Sequence, residues 1–295
     1  MKVLFLGCNY DQLPYLEYLS KRDIQVIGTD INPSAVGRDL CWKFINSGYE
    51  NYKEIIKQLE LIGFRNNDKI FTASAQFAYY GAAKIAKHFC VKFPSVEAIQ
   101  AILDKSVFYK NFKQLGVSIP KTCYVSDNDE LHNSLRNFDT NCYLKSDRSK
   151  NPKYIYQIKY NEELPEINWK KDTFLQKFYI LQEEISGQAI RINFADDKFF
   201  VFDFETSEFN HAMTEELNQS IKEDVLKIIN FYGITDWIVK FDVIIKDKNS
   251  YAFLDIGIDP PMRLLNQIKN NGHPFEEIYC DKYIFNKKLS LDQYV

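Results

Sequence analysis

The sequence lacks the patterns that mark several common classes of protein. Its six cysteines include no Cys-x-x-Cys pair and no neighbouring histidine at metal-ligand spacing, so a zinc site is not expected. No apolar stretch reaches the ~18 residues that a membrane span needs. The opening MKVLFLGCNY also lacks the length and cleavage site of a signal peptide. We therefore expect a reduced, cytoplasmic protein that does not bind a membrane.

The sequence also lacks a strong charge of either sign. Its net charge of −3 and isoelectric point near 5.9 argue against a nucleic-acid-binding protein, which usually carries a basic patch. The acidic balance favours a small-molecule or peptide substrate over a polyanionic one. With 295 residues, of which 45% are hydrophobic, the chain is long enough for roughly two or three packed units.

The first 95 residues alternate apolar runs with amphipathic stretches, which is typical of a doubly wound α/β unit. Gly7 follows the first expected strand, but the next residues contain neither of the two further glycines of a dinucleotide-binding fingerprint. We therefore interpret this unit as a structural α/β layer. Its expected strands and helices are Lys2–Leu6, Leu13–Ser20, Ile24–Thr29, Ile70–Ala73 and Gly81–Phe89.

Two short helices are expected next. Ser95 and Asp104 each precede an apolar helical pattern, and both are residue types that cap helix N-termini. Gly116 would end the second helix as a C-terminal cap. Beyond it the pattern is strand-rich, with one amphipathic helix at Glu216–Tyr232, and is typical of an α+β structure. We divide the chain into an α/β unit at 1–95, linking helices and a lid at 96–175, and a C-terminal unit at 176–295.

In the later part of the chain, charged residues occur in a particular order on the expected strands and at an expected helix start. Most lysines or aspartates at such positions are solvated, so no single one is informative. Their order along the chain is more specific. The members of the series are Lys105, Lys145, Arg191, Asp242, Asp255 and Asp259.

This order resembles the ATP-grasp superfamily over almost the whole chain. The superfamily includes D-alanine:D-alanine ligase, biotin carboxylase, the carbamoyl-phosphate synthetase large chain and the ribosomal-protein glutamate ligases. Asp104–Lys105 followed by Gly116–Pro120 is the most specific local match, and Gly28–Pro33 is similar to the domain that precedes ATP-grasp in carbamoyl-phosphate-synthetase-like proteins. The resemblance implies an α/β plus α+β structure: a Rossmann-like pre-ATP-grasp domain, a central lid and a C-terminal domain, with ATP between the last two.

The resemblance also implies roles for residues that would contact the nucleotide. Lys105 and Lys145 correspond to two lysines on the phosphates, and an ammonium group is a compact cation suited to phosphate oxygens. Glu183 or Glu184 would hold the ribose hydroxyls. The hinge whose backbone reads the adenine edge would comprise Gln176, Lys177, Phe178 and Tyr179.

The metal-binding part of the pattern is present but altered. Asp242 and Asp255 correspond to two acidic ligands of Mg²⁺ (or Mn²⁺), which shares such hard oxygen ligands with the phosphates of ATP. Gly257 stands where the family usually has an asparagine ligand, so we expect Asp259 to compensate. The usual glycine-rich phosphate loop is also missing. In its place the chain offers the cationic residues Arg148, Lys150 and Lys153.

The implied activity is ligation of a small-molecule or peptide carboxylate to an amine or thiol. ATP would convert the carboxylate to an acyl phosphate. Arg191 would stabilise the developing negative charge, and Arg263 would hold a substrate carboxylate. Two alternatives stay open, which are phosphorylation without ligation and a catalytically degenerate nucleotide-binding protein. Since many relatives are dimers, a homodimer is compatible with this interpretation.

Overall fold

The computed structural model describes residues 1–74, 76–147, 155–169, 178–206 and 213–288. Within these ranges the strands form three sheets of four strands each. One sheet is parallel and belongs to the N-terminal unit, and the other two are antiparallel. This mixture agrees with the expected α/β plus α+β class.

The N-terminal sheet has the strand order β3-β2-β1-β4. Its strands are joined by three crossovers, two of which contain the helices α1 and α2, and such connections make neighbouring strands parallel. The expected elements are present, together with β3 and α2, which the sequence pattern did not indicate. The elements are β1 (Lys2–Leu6), α1 (Leu13–Ser20), β2 (Gln25–Asp30), β3 (Lys43–Asn46), α2 (Tyr52–Leu61), β4 (Lys69–Thr72) and α3 (Gln76–Phe89).

Two consecutive helices lead from this unit to the next, α4 (Val96–Leu103) and α5 (Lys105–Gln114). Their expected N-terminal caps are confirmed. The Ser95 side chain accepts from the Ala98 N–H at 3.0 Å, and Asp104 accepts from the Ser106 N–H at 3.1 Å. Gly116 has a φ of +72°, which is the left-handed conformation expected just beyond a helix end.

The second sheet, here called the lid sheet, has the order β5-β8-β6-β7. It packs its own small core around Leu144 and Leu181, covered by α6. We expected a unit boundary at 175/176, but β8 still pairs with β5 and β6, so the change of sheet comes between Glu183 and Gln188. The elements are β5 (Thr122–Val125), α6 (Asn128–Leu135), β6 (Cys142–Ser146), β7 (Ile155–Ile158) and β8 (Tyr179–Glu183).

The third sheet, the C-terminal sheet, has the order β10-β9-β11-β12. Helix α7 covers one face, burying Ile221 and Val225 against Ile192 and Phe241. Although α7 is 18 residues long, no described helix is both long and apolar enough to cross a membrane. The elements are β9 (Gln188–Ala195), β10 (Lys198–Asp203), α7 (Glu215–Tyr232), β11 (Val239–Asp247), β12 (Ser250–Gly257), α8 (Met262–Asn270) and α9 (Phe275–Tyr283).

The N-terminal unit shares a hydrophobic core with the end of the chain. Phe5 and Tyr15 pack in one buried cluster with Phe275 and Tyr279 from α9. The Tyr15 and Tyr279 rings lie 6.1 Å apart in an edge-to-face arrangement. The first and last elements therefore stabilise each other, and the N-terminal unit is fixed relative to the C-terminal sheet.

Candidate active site

A cavity of about 470 Å³ lies between the lid sheet and the C-terminal sheet. Its walls come from the start of α5, the end of β6 and the adjoining parts of β9, β11 and β12. Gln76, the first residue of α3, adds a side chain from the N-terminal unit. Five residues that the sequence series placed in one site line this cavity: Lys105, Lys145, Arg191, Asp242 and Asp255.

Strand pairing sets three of these residues side by side. Asp242 on β11 is the Cα partner of both Arg191 on β9 and Asp255 on β12. Successive side chains alternate between the two faces of a strand, so Ile190 and Ile192 enter the core while Arg191 faces the cavity. The three charged residues form a row across one wall of the cavity, which we call the acidic row.

Within this row Arg191 and Asp242 form a two-point ion pair. Nε and Nη2 of Arg191 donate to Oδ1 and Oδ2 of Asp242 at 2.6 and 2.8 Å. Burial by itself lowers the pKa of Arg191, but the hydrogen bonds and charge of Asp242 outweigh this effect and raise it overall. The paired fork geometry holds the guanidinium charge in one orientation beside the cavity.

Lys105 reaches the same row from the start of α5. The Asp104 cap fixes where the helix begins, and the Lys105 N–H donates to the carbonyl of Asp147 in the lid at 3.1 Å. Lys105 Nζ lies 2.7 Å from Oδ1 of Asp255, and the lysine side chain is only 13% exposed. The Asp104 cap therefore places the largely buried ammonium group of Lys105 against the carboxylate of Asp255 at the end of the row.

Lys145 lies at the end of β6, among neutral polar groups. Its Nζ donates to Oε1 of Gln182 at 2.6 Å and to the Tyr109 hydroxyl at 3.3 Å. Burial lowers the pKa of Lys145 to about 7, and the positive charge of Lys105 adds to that effect. Near pH 7 Lys145 therefore exchanges readily between its protonated and neutral forms when no anion is bound.

Tyr109 and Gln182 support Lys145, and the sequence pattern indicated neither of them. Nε2 of Gln182 donates to the Tyr109 hydroxyl at 2.6 Å, and that hydroxyl donates to the carbonyl of Leu254 at 2.9 Å. One tyrosine therefore links α5, the lid sheet and β12. One feature of the sequence could have indicated Gln182: it lies on an otherwise apolar strand, where a polar side chain needs a buried hydrogen-bond partner.

We expect Tyr109→Phe to lower the free energy of unfolding by about 1–3 kcal/mol, because the buried Leu254 carbonyl and the Gln182 amide lose a partner. Urea denaturation followed by circular dichroism measures this change. Tyr124→Phe is the matched control, since the Tyr124 hydroxyl donates to the Ser106 carbonyl but the residue is 41% exposed and water can replace the bond. Equal losses in the two variants would contradict the linking role of Tyr109.

The expected adenine hinge does not coincide with the connection between the two sheets. Gln176 and Lys177 lie outside the described residues. Tyr179 is buried in the lid core, where its hydroxyl donates to the Asn168 carbonyl at 2.9 Å, and the Phe178 carbonyl accepts from the Asp147 N–H at 3.3 Å. Neither residue lines the cavity. The chain passes from β8 to β9 at residues 184–187 instead, and contact of residues 176–179 with adenine stays a prediction.

The two candidate ribose ligands, Glu183 and Glu184, lie where β8 leads into this connection, and both accept hydrogen bonds from other lid residues. Glu183 accepts from the Lys121 N–H at 2.7 Å. Glu184 accepts from Asn141 at 2.7 Å and from the Tyr143 hydroxyl at 2.8 Å, and these hydrogen bonds lower its pKa. Their contact with a ribose stays a prediction.

Arg263 lies close to Arg191 but outside the cavity wall. Its guanidinium is 4.3 Å from the centroid of the Phe204 ring, and that of Arg191 is 5.1 Å from the same ring. Nη2 of Arg263 also donates to the Phe204 carbonyl at 2.5 Å. Burial and the positive charge of Arg191 lower the pKa of Arg263. Phe204 lines the cavity, and both guanidinium groups lie near its ring.

The acidic row provides ligands that fit one divalent cation. Asp242 and Asp255 are directly opposed on neighbouring strands, and carboxylate oxygens are the ligands that Mg²⁺ prefers. Among the described residues no group of three or more histidine, cysteine, aspartate or glutamate side chains is arranged to hold a metal. Two carboxylates instead suit an ion that shares its coordination with substrate phosphates and water.

Comparison with known proteins finds similarity in structure but not in sequence. No protein-family model matches the chain, and no curated protein matches it. Solved structures match over almost its whole length. One is the phosphoribosylglycinamide synthetase of Anaerococcus prevotii, with 19% identity and a TM-score of 0.66 over 98% of this chain and 78% of that chain.

Two further structures carry the same similarity. The biotin carboxylase of Campylobacter jejuni, solved as a β,γ-ATP complex, has 14% identity and a TM-score of 0.72 over 98% of this chain and 71% of that one. The L-amino acid ligase of Bacillus licheniformis has 12% identity and a TM-score of 0.68 over 100% of this chain and 76% of that one. At such identities the similarity establishes the fold, and the α/β plus α+β fold class expected from the sequence is confirmed.

Proposed function

We propose that this chain, which has the ATP-grasp fold, binds ATP with Mg²⁺ in the cavity and uses it to join a carboxylate to an amine. The observation that carries the proposal is the convergence of five charged residues, far apart in sequence, on one cavity of about 470 Å³. A structural role alone does not require lysines from a helix start and a lid strand to line the same cavity as this pair of carboxylates.

The charges along the cavity suit a polyanion. Among its described lining residues four are basic, Lys105, Lys145, Arg191 and Lys240, and two are acidic, Asp242 and Asp255. With all of them ionised these six residues carry a net charge of +2, or +1 when Asp259, the ion-pair partner of Lys240, is included. Charges interact more strongly in such a partly enclosed site than in bulk water, so this surplus favours a triphosphate.

The arrangement supports a division of roles in the reaction. Lys105 and Lys145 would neutralise the phosphates, and Asp242 and Asp255 would hold Mg²⁺, which when bound supplies further neutralisation of phosphate charge. Arg191, fixed by Asp242, is suited to stabilise the negative charge that develops when a carboxylate attacks the γ-phosphate. The resulting acyl phosphate would be captured by an amine, with release of ADP and phosphate.

Two observations bear on the substrates. Arg263 lies against Phe204 beside Arg191 and would hold a carboxylate of the donor or the acceptor. The name of one structural neighbour, L-amino acid ligase, supports small amino-acid or peptide substrates. Phosphate transfer without ligation, and nucleotide binding without turnover, are the two alternatives that the experiments below separate.

Binding is tested by calorimetry with a non-hydrolysable ATP analogue and Mg²⁺. We expect saturable binding to the wild-type chain and at least about tenfold weaker binding to Lys145→Met, since a phosphate-binding charge is lost. Lys159→Met is the matched control, because Lys159 is an exposed lid lysine paired with Glu162 at 3.5 Å and does not line the cavity. Absence of binding to the wild type would overturn the proposal.

Turnover is tested by incubating the protein with ATP, Mg²⁺, hydroxylamine and a panel of amino acids and other small carboxylates. An acyl phosphate reacts with hydroxylamine to give a hydroxamate, so hydroxamate formation with release of ADP supports ligation. A stable phosphorylated product without an amide supports phosphate transfer instead. Binding without release of ADP across a wide panel supports a degenerate nucleotide-binding protein.

A further inference from the structure

A second row of residues lies next to the acidic row on the C-terminal sheet. Lys240 on β11 is the Cα partner of Asn193 on β9 and of Gly257 on β12. Lys240 precedes Asp242 by two residues, and residues two apart on a strand share a face. The Lys240 side chain therefore starts on the cavity face of the sheet, and Lys240 lines the cavity.

Gly257 leaves the space that this lysine occupies. A Cβ atom at position 257 would lie 2.5 Å from Cε of Lys240 and 2.3 Å from Nε2 of Gln76. Both distances are far below van der Waals contact. Gln76 is held there because its Nε2 donates to the Ile256 carbonyl at 3.1 Å. The second row therefore has no room for a metal-binding side chain on β12 while Lys240 and Gln76 keep their positions.

The ammonium group of Lys240 is fixed within the site. Its Nζ lies 2.7 Å from Oδ2 of Asp259, and the two side chains are only 17% and 15% exposed. Asp259, which we expected to act as a replacement metal ligand, instead bonds a protein cation. A lysine held in place by one carboxylate at the cavity wall can contact an anion there without the help of a divalent ion.

We infer that this chain binds ATP with a single divalent ion, held by Asp242 and Asp255, and that Lys240 supplies the positive charge that a second ion would bring. The inference rests on the proposed function. It changes the expected role of Asp259 from ligand of a metal to partner of Lys240. It also gives a reason for Gly257, because any larger residue there would displace the lysine.

The experiment counts bound Mn²⁺ by electron paramagnetic resonance in the presence of a saturating non-hydrolysable ATP analogue. We expect one tightly bound Mn²⁺ per bound nucleotide in the wild-type chain. Two tightly bound ions per nucleotide would overturn the inference while leaving nucleotide binding intact. No nucleotide binding at all would instead overturn the proposed function and this inference with it.

A substitution gives an independent measurement. Lys240→Met is expected to weaken binding of the analogue at least about tenfold at constant Mn²⁺, because a cation next to the phosphates is removed. Lys246→Met is the matched control, since Lys246 lies on the same strand but is exposed and away from the cavity. Equal affinity of Lys240→Met and Lys246→Met would overturn the role of Lys240. The wild-type ion count does not depend on whether either variant folds.

Discussion

Replacing Asp255 with asparagine is expected to lower the rate of ATP-dependent turnover by at least about 100-fold. Asp255 faces Asp242 across β11 and β12 and lies 2.7 Å from Lys105 Nζ. Asparagine has nearly the same shape but no negative charge. The change removes half of the charge available to a divalent ion and leaves Lys105 without its counter-charge. The rate of ADP formation under saturating ATP measures the effect.

Asp197→Asn is the control for this change. Asp197 lies in the turn between β9 and β10, outside the cavity, and has a φ of +64°. Asparagine tolerates that left-handed conformation well, so the control variant should fold and turn over normally. If raising the Mg²⁺ concentration restores most of the Asp255→Asn rate, the expected role in ion binding is supported. Unchanged turnover at low Mg²⁺ would contradict it.

The affinity for ATP is expected to fall about 50-fold between pH 7 and pH 9 through the titration of Lys145. Burial and Lys105 lower the pKa of Lys145 to about 7, so roughly half of the lysines are protonated at pH 7 and about one in a hundred at pH 9. A neutral amine does not attract phosphate. The phosphates themselves stay ionised over this window, since their second pKa is near 6.

Calorimetry in buffers with different ionisation enthalpies measures both the affinity and the proton taken up when ATP binds. The Lys145→Met variant should bind weakly and with no slope above pH 7. If the affinity of this variant for ATP still falls with pH, another group is responsible for the titration.

The stability of the folded chain gives a second test of the lowered pKa of Lys145. Between pH 7 and 10 the unfolded chain retains the lysine proton that the folded chain has lost, so wild-type stability should rise with pH relative to Lys145→Met.

Charged residues within the strands of the C-terminal sheet were the part of the arrangement that the sequence predicted best. Asp242 and Asp255 follow apolar residues on adjacent strands, and antiparallel pairing brings them opposite each other. Arg191 alternates with Ile190 and Ile192, so its face follows from the pattern. These positions depend on local alternation and on strand order, which one sequence can indicate.

The connection between the two sheets lies further along the chain than the expected hinge, because the position of β8 depends on strand register. The run Phe174–Glu184 contains apolar residues at several spacings, so a strand can begin at more than one residue. In the structure Lys145 pairs with Ile180 and Ser146 with Tyr179. This pairing turns Tyr179 into the lid core, and no feature within the run itself specifies it.

Lys240 was missed for a different reason. By itself it is an ordinary lysine two residues before an aspartate, and most such lysines are solvated. Its importance comes from Gly257 on the neighbouring strand and from Gln76, which lies in another unit of the chain. Only the folded arrangement shows that the absence of a side chain at one position makes room for a charge at another.

The core that joins the first and last elements has a consequence during synthesis on the ribosome. Phe5, Tyr15 and Phe71 are sealed by α9, whose first residue is Phe275. Residues 1–95 leave the ribosome while about 180 further residues must still be added, which takes roughly 10–40 s at typical elongation rates. During that time the apolar face of the N-terminal sheet that α9 later covers is exposed. A chaperone that recognises apolar surfaces can bind it before α9 emerges.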